Sequence, residues 1–402
     1  MAGSRRPSTT VERFGLIVIK QDFLPYARQT IEQDDIDAVV DVLRSDYLTT
    51  GPKVQEFEAC LCEVTGAQYA VACGNGSEAL HLALMASGIG PGDAVIVPTI
   101  TFLASANAVR YCGADVVFCD VNPENGLVTP EILQKTITLH ESQNLKAFVP
   151  VYLGGHCVDL KPLKTLCEQY GLLMIADACH ALGGQYEDTP VGSCQYEDMS
   201  TFSFHPAKLT TMGEGGAITL NDAQKADTMH RLRHHGMVHK PENGPWFYEM
   251  EALGYNYRVT DIQCALGISQ LGKLKAFHAK RVFLTDLYTK LLSGLEYVQT
   301  PQVPDYCVSG WHLYALRIDF EHIGVQRAAL IEVLKKSGIG TQVHYIPVHT
   351  QPYYQKLYGP KTLEGAQAYY EKTLSLPLFP SMDEDDVRRI VEALKGVIEE
   401  AA

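Results

Sequence analysis

Ser200-Thr-Phe-Ser-Phe-His-Pro-Ala-Lys-Leu-Thr-Thr-Met-Gly-Glu-Gly-Gly-Ala-Ile-Thr-Leu220 holds two short β-rich runs, residues 200–204 and 216–220, joined by a loop with one lysine. Pro206 precedes Lys208, and Gly213, Gly215 and Gly216 follow it. Proline fixes φ and glycine admits backbone shapes that other residues resist, so such a loop can set one side chain in one place. A partly desolvated lysine there has a lowered pKa and suits attack on a carbonyl. Alone, the loop reads sooner as a glycine-rich turn with a surface lysine.

Upstream, Gly171-Leu-Leu-Met-Ile-Ala-Asp177-Ala-Cys-His180 is an apolar run of strand length that ends in a carboxylate. A near-continuous apolar run reads as a parallel strand covered on both faces. Its carboxyl end is where open α/β sheets bind ligands. Singly, Asp177 is as readily a turn or helix-capping residue. Paired with Lys208 it points to pyridoxal 5'-phosphate, which needs a lysine for its aldehyde and an acid for its ring nitrogen.

The strand 69–73 runs into Gly74-Asn-Gly-Ser77, which opens a helix expected over 78–87 and stopped by Gly88. Free N–H groups at a helix start, with a serine hydroxyl beside them, make an anion site. The competing reading is a serine that caps the helix and binds nothing. Ser203 offers a second hydroxyl to the same anion, and Phe102, after the strand 94–97, falls where a ring could stack on another. Further strands are expected at 115–118, 147–152, 311–320 and 341–346, alternating with helices, which implies a mostly parallel sheet.

The 402 residues suffice for two domains, and 46% hydrophobic with 20% charged residues describes a globular chain. A net charge of −14 argues against a nucleic-acid or anionic-membrane surface. The eleven cysteines form no CxxC pair, so a reduced, cytoplasmic chain is expected. No stretch reaches membrane-spanning length and no metal-ligand spacing stands out. Residues 1–23 read as a leader, 24–275 as a large domain and 276–402 as a smaller C-terminal α/β domain.

Five segments in order then carry a resemblance: Gly74-Asn-Gly-Ser77, Pro98-Thr-Ile-Thr-Phe102, Asp177-Ala-Cys-His180, Phe202-Ser-Phe-His-Pro-Ala-Lys208 through Gly216, and Gly254-Tyr-Asn-Tyr-Arg-Val-Thr-Asp261. From about Leu24 onward the chain resembles the DegT/StrS-type nucleotide-sugar aminotransferases, pyridoxal-phosphate enzymes of the aspartate-aminotransferase (type I) α/β fold. Ser45-Asp-Tyr-Leu-Thr-Thr-Gly-Pro-Lys-Val54, Val343-His-Tyr-Ile-Pro-Val-His349 and Leu374-Ser-Leu-Pro-Leu-Phe-Pro380 look like the pseudaminic-acid branch of that family.

The resemblance implies a homodimer with shared active sites, acting on L-glutamate and a UDP-4-keto sugar. Lys208 would engage the cofactor aldehyde and Asp177 its ring nitrogen. Gly76, Ser77 and Ser203 would hold the phosphate, with Asn256 reaching it from the partner subunit. Phe102 would stack on the ring and His180, often Gln in the family, would meet the ring hydroxyl. Tyr26, His205, His344 and Tyr345 are the candidates for substrate contact. The loop Leu209-Thr-Thr-Met212 keeps the family length but shifts its threonines. Rival readings are an aminotransferase for another UDP- or dTDP-linked 4-keto sugar and a non-catalytic cofactor-binding regulator.

Overall fold

A computed structural model describes residues 23–401, so nearly all of the expected leader lies outside the described residues. Its centre is a seven-stranded sheet of β1 (Tyr69–Cys73), β2 (Ala94–Pro98), β3 (Asp115–Cys119), β4 (Leu145–Phe148), β5 (Leu173–Asp177), β8 (Met199–Ser203) and β9 (Gly216–Leu220). A short ribbon, β6 (Gln185–Tyr186) and β7 (Thr189–Pro190), lies between β5 and β8 in the chain. The spatial order is β1-β9-β8-β5-β4-β2-β3. Only β9 runs against its neighbours; every other pairing in the sheet is parallel.

Most strand residues are buried, as the continuous apolar runs require of a sheet covered on both faces. One apolar cluster, with Phe57, Phe148, Phe202 and Phe204, fills one face, and a second, with Leu80, Leu82, Val97 and Ile175, fills the other. The fold is therefore of the aspartate-aminotransferase type read from the sequence.

Beyond the sheet come a hairpin, β10 (Met237–His239) with β11 (Tyr248–Met250), and the helices Asp261–Gly272 and Leu274–Leu292. A second sheet, ordered β12 (Val298–Gln299), β14 (Tyr314–Ile318), β15 (Thr373–Leu376), packs with a third apolar cluster made entirely of residues from Leu284 onward. The two-residue β13 (Cys307–Val308) joins β6 instead. The chain start is stitched to this far end, since Leu24 N donates to Gly338 O at 2.8 Å and Leu378 N donates to Tyr26 O at 3.1 Å.

Two expected strands differ. The run at 147–152 ends early as a ladder, because Pro150 has no N–H to donate; only Val151 bridges to Asp177 beyond Phe148. Residues 341–346 form no strand. A single bridge joins Gln342 to Ser375, and the next hydrogen bond outward comes from a side chain, the His344 ring to the Ser375 hydroxyl at 2.8 Å. Among the described residues no helix is long and apolar enough to cross a membrane.

Candidate active site

At the carboxyl ends of β5 and β8 lies a cavity of about 830 Å³. All the candidate residues named from the sequence line it except His180 and Asn256. The register of β8 on β9 pairs Ser203 with Gly216, so residues 204–215 are an excursion closed at its base. Within it Phe204 N donates to Gly215 O at 2.8 Å, Met212 N to Phe204 O at 2.9 Å and Lys208 N to His205 O at 2.8 Å. Gly213 takes a positive φ of 78°. At Gly216 the reason is space, since a Cβ there would fall 2.2 Å from the Asn75 carbonyl oxygen.

Lys208 thus stands on a braced loop with its amine in the cavity. Burial lowers its pKa, against the smaller opposing pull of Cys179 and Asp177. Asp177 is 7% exposed. One carboxylate oxygen accepts from Ser105 Oγ at 2.6 Å and the other from Cys179 N at 3.3 Å. Thr101 Oγ1 lies 2.7 Å from Ser105 Oγ, and since Ser105 spends its hydrogen on Asp177, Thr101 is the donor of that pair. The two hydroxyls orient the acid without neutralising it.

The helix Gly76–Ala86 starts at the cavity wall, and its cap is Asn75, whose side chain accepts from Glu78 N at 3.0 Å. Glu78 in turn accepts from Gly74 N at 2.7 Å and Asn75 Nδ2 at 2.9 Å. Ser77 is therefore not the cap, and its hydroxyl and the first free N–H groups share a site suited to an anion. A Cβ on Gly76 would come 2.8 Å from Ser203 Cβ, so glycine is what lets the two walls of that cradle meet.

Phe102 sits at the cavity mouth, 57% exposed, its ring 6.2 Å from that of Tyr345. Tyr26 packs 5.6 Å from His344. His205 is exposed, and its Nδ1 accepts from Ala207 N at 3.2 Å. His180 lies behind Tyr345, whose hydroxyl is 3.2 Å from its Nε2, and Gly154 N donates to its Nδ1 at 3.3 Å. With Nδ1 accepting, a neutral His180 carries its proton on Nε2. Asn256 is apart from all these, exposed on the segment that bridges to His234.

Reading the sequence missed His312. It lines the cavity at 4% exposure, its ring 4.3 Å from that of His180. The signal was periodicity: Tyr314, Leu316 and Ile318 are the inward residues of β14, and His312 continues that phase as a polar residue. Burial pushes the pKa of His180, His312 and His344 down, the last to about 3, and the nearby Lys208 adds to the effect. Three imidazoles within reach of the lysine's charge are thus held toward the uncharged form. Ser105 and Thr101 were also missed as partners of the acid, although Thr101 lies in the quoted segment Pro98-Thr-Ile-Thr-Phe102.

The family model for the DegT/DnrJ/EryC1/StrS aminotransferase family matches residues 29–395. The chain is 38% identical over 390 residues to the spore coat polysaccharide biosynthesis protein SpsC of Bacillus subtilis, covering 95% of this chain and 99% of that one. Helicobacter pylori PseC, described as an aminotransferase involved in the biosynthesis of pseudoaminic acid, superposes with a TM-score of 0.88 at 30% identity, covering 94% of this chain and all (100%) of that one. A Streptococcus pneumoniae chain solved in its pyridoxal phosphate form gives 0.86 at 29% identity, again over 94% and 100%.

Proposed function

Because the chain belongs to the DegT/DnrJ/EryC1/StrS aminotransferase family, whose cofactor is pyridoxal 5'-phosphate, we propose that it moves the amino group of L-glutamate to C4 of a UDP-linked 4-keto-6-deoxy-N-acetylhexosamine of the L-arabino series. The carrying observation is that Lys208 and Asp177, 31 residues apart (208 − 177), meet in one cavity beside a cradle built for an anion. The residues fit the cofactor: an amine for its aldehyde, a fixed carboxylate for its ring nitrogen, and the Gly76–Ser77–Ser203 cradle for its phosphate. When bound, the cofactor supplies the aldehyde and an electron-withdrawing ring.

Asp177, oriented by Ser105 and the Cys179 N–H, holds a proton on the ring nitrogen. His180 would act on the ring hydroxyl through Tyr345, whose hydroxyl its Nε2 meets, and Phe102 would cover the ring at the mouth. Lys208 Nζ, its ammonium disfavoured by burial, would take the proton from Cα of the amino donor and pass it to the cofactor. In the second half-reaction it would take a proton back from the cofactor and deliver it to C4 of the sugar. His344, Tyr345 and Tyr26 on the cavity walls, with His205 on the lysine's own loop, are the substrate-side contacts.

PseC, described as acting in pseudoaminic acid biosynthesis, supports the L-arabino proposal, while the more identical SpsC, named for spore coat polysaccharide biosynthesis, keeps a second reading open, amination of another sugar. The enzyme is to be treated with glutamate, freed of donor and offered L-arabino and D-xylo UDP-4-keto sugars separately, with the cofactor absorbance followed. We expect the starting spectrum to return with the L-arabino sugar alone. Return with the D-xylo sugar alone would keep the aminotransferase and overturn the pathway. No spectral change on adding glutamate would leave only a cofactor-binding protein.

The same reading takes residues 24–275 as the cofactor domain and 276–402 as the smaller one, which the third apolar cluster supports. It also takes the working unit as a cytoplasmic homodimer. Exposed Asn256 and the bare apolar side chains of Trp246 (76%), Met250 (66%) and Leu253 (77%) fit a second copy seated there. Mixing Lys208→Ala with Asn256→Ala chains should restore roughly a quarter of wild-type activity, from the half of chains in mixed dimers, each with one intact site. Verified mixing without recovery would exclude sharing.

A further inference from the structure

Resting on the glutamate reading above, we propose that His312 receives a carboxylate of the amino donor, acting as an uncharged hydrogen-bond donor. Among the described residues of one chain, the cavity lining includes no arginine and no lysine except Lys208, whose amine is committed to the chemistry. An amino acid with two carboxylates must still find donors there.

His312 Nδ1 is buried and has no hydrogen-bond partner. A sealed N–H without an acceptor costs more than a sealed lone pair, because the donor forfeits its only bond, so the proton of the neutral ring belongs on Nε2. Among the described residues nothing hydrogen-bonds Nε2, which leaves it as the ring nitrogen to meet a ligand in the cavity that His312 lines. The ring is held in advance. Buried Arg281 donates to the carbonyls of Trp311 at 3.1 Å, His312 at 3.3 Å and Leu378 at 3.0 Å. Leu313 N donates to Gly154 O at 3.1 Å, and the same Gly154 uses its own N–H on His180. One short stretch of backbone thereby positions both imidazoles.

An uncharged donor suits a cavity that takes two unlike substrates in turn. A guanidinium would grip a carboxylate, then stand bare and buried when a sugar replaced the amino acid. An imidazole N–H gives a charge-assisted hydrogen bond to the carboxylate and an ordinary one to a sugar oxygen, and is stranded by neither.

The test uses the cofactor-loaded enzyme and glutarate, a dicarboxylate with no amino or keto group to react, with binding read by calorimetry. His312→Phe keeps a ring against His180 and removes the N–H; we expect glutarate to bind about tenfold more weakly. His312→Asn keeps an N–H and should recover most of that loss, while cofactor affinity stays within about twofold in both, because Phe and Asn keep the fold around it. The KM for glutamate should rise with the glutarate Kd in the Phe variant, more than the KM for the sugar.

Wild-type glutarate binding that His312→Phe leaves untouched overturns this assignment alone. Equal weakening of glutarate and cofactor would make His312 a packing residue and also overturn it. A wild-type enzyme that shows neither glutarate binding nor a glutamate-induced spectral change overturns the glutamate reading and this assignment together.

Discussion

Lys208→Ala should lower turnover by about 10³-fold or more, the upper part of the range for removing a positioned acid–base group, since the same amine also engages the aldehyde. The fold should not suffer. Burial already disfavours the charged amine, so deleting it removes a penalty, and the loop stays braced by backbone bonds from Lys208 N, Phe204 N and Met212 N that alanine keeps. The melting temperature is expected to hold or rise while activity vanishes, the trade-off of a residue kept for chemistry. Turnover measured beside a thermal melt checks both halves; wild-type turnover in the variant would end the assignment of Lys208.

Asp177 is the second large effect. Its alanine variant removes a buried negative charge and leaves the Ser105 hydroxyl without its acceptor. Losing one partner of a buried charged pair costs about 2–5 kcal/mol, so a fall of roughly 30- to 5,000-fold in kcat is expected. Asp177→Asn separates charge from shape, because its amide oxygen can still accept from Ser105. If the charge on the ring nitrogen matters, Asn should lose nearly as much kcat as Ala while binding the cofactor more tightly than Ala does. Single-turnover rates with cofactor affinities by fluorescence distinguish these, and an Asn variant with wild-type kcat would remove Asp177 from the chemistry.

These two residues could be read from the sequence because each belongs to a contiguous strand–loop signature whose neighbours dictate where it points. Ser77 and Gly76 were readable for the same reason, although the cap turned out to be Asn75. His312 depends instead on which sheet face turns toward a distant cavity, and only its phase with Tyr314 and Leu316 hinted at that. The segment 341–346 misled because Val343 and Tyr345 alternate with polar residues as a strand would. Ser375 spends its backbone on Gln342 and its hydroxyl on His344, so the ladder stops after one bridge. Local pattern records what a segment could pair with, and tertiary partners decide whether it does.

The stitching of the chain start to its far end has a consequence in time. Tyr26, a wall of the cavity, is fixed through the bond between its carbonyl and Leu378 N, and its neighbour Leu24 through Gly338 and Gly340. A ribosome adding about 5–20 residues per second needs on the order of tens of seconds to go from one partner to the other. Once residue 220 has emerged, and for the rest of that interval, Lys208, Asp177 and the anion cradle can already be assembled on their own sheet while the wall opposite them does not exist. A nascent chain of this design can meet its cofactor before release from the ribosome, and acquires a closed substrate chamber only as the last strand, β15, and the residues just after it emerge.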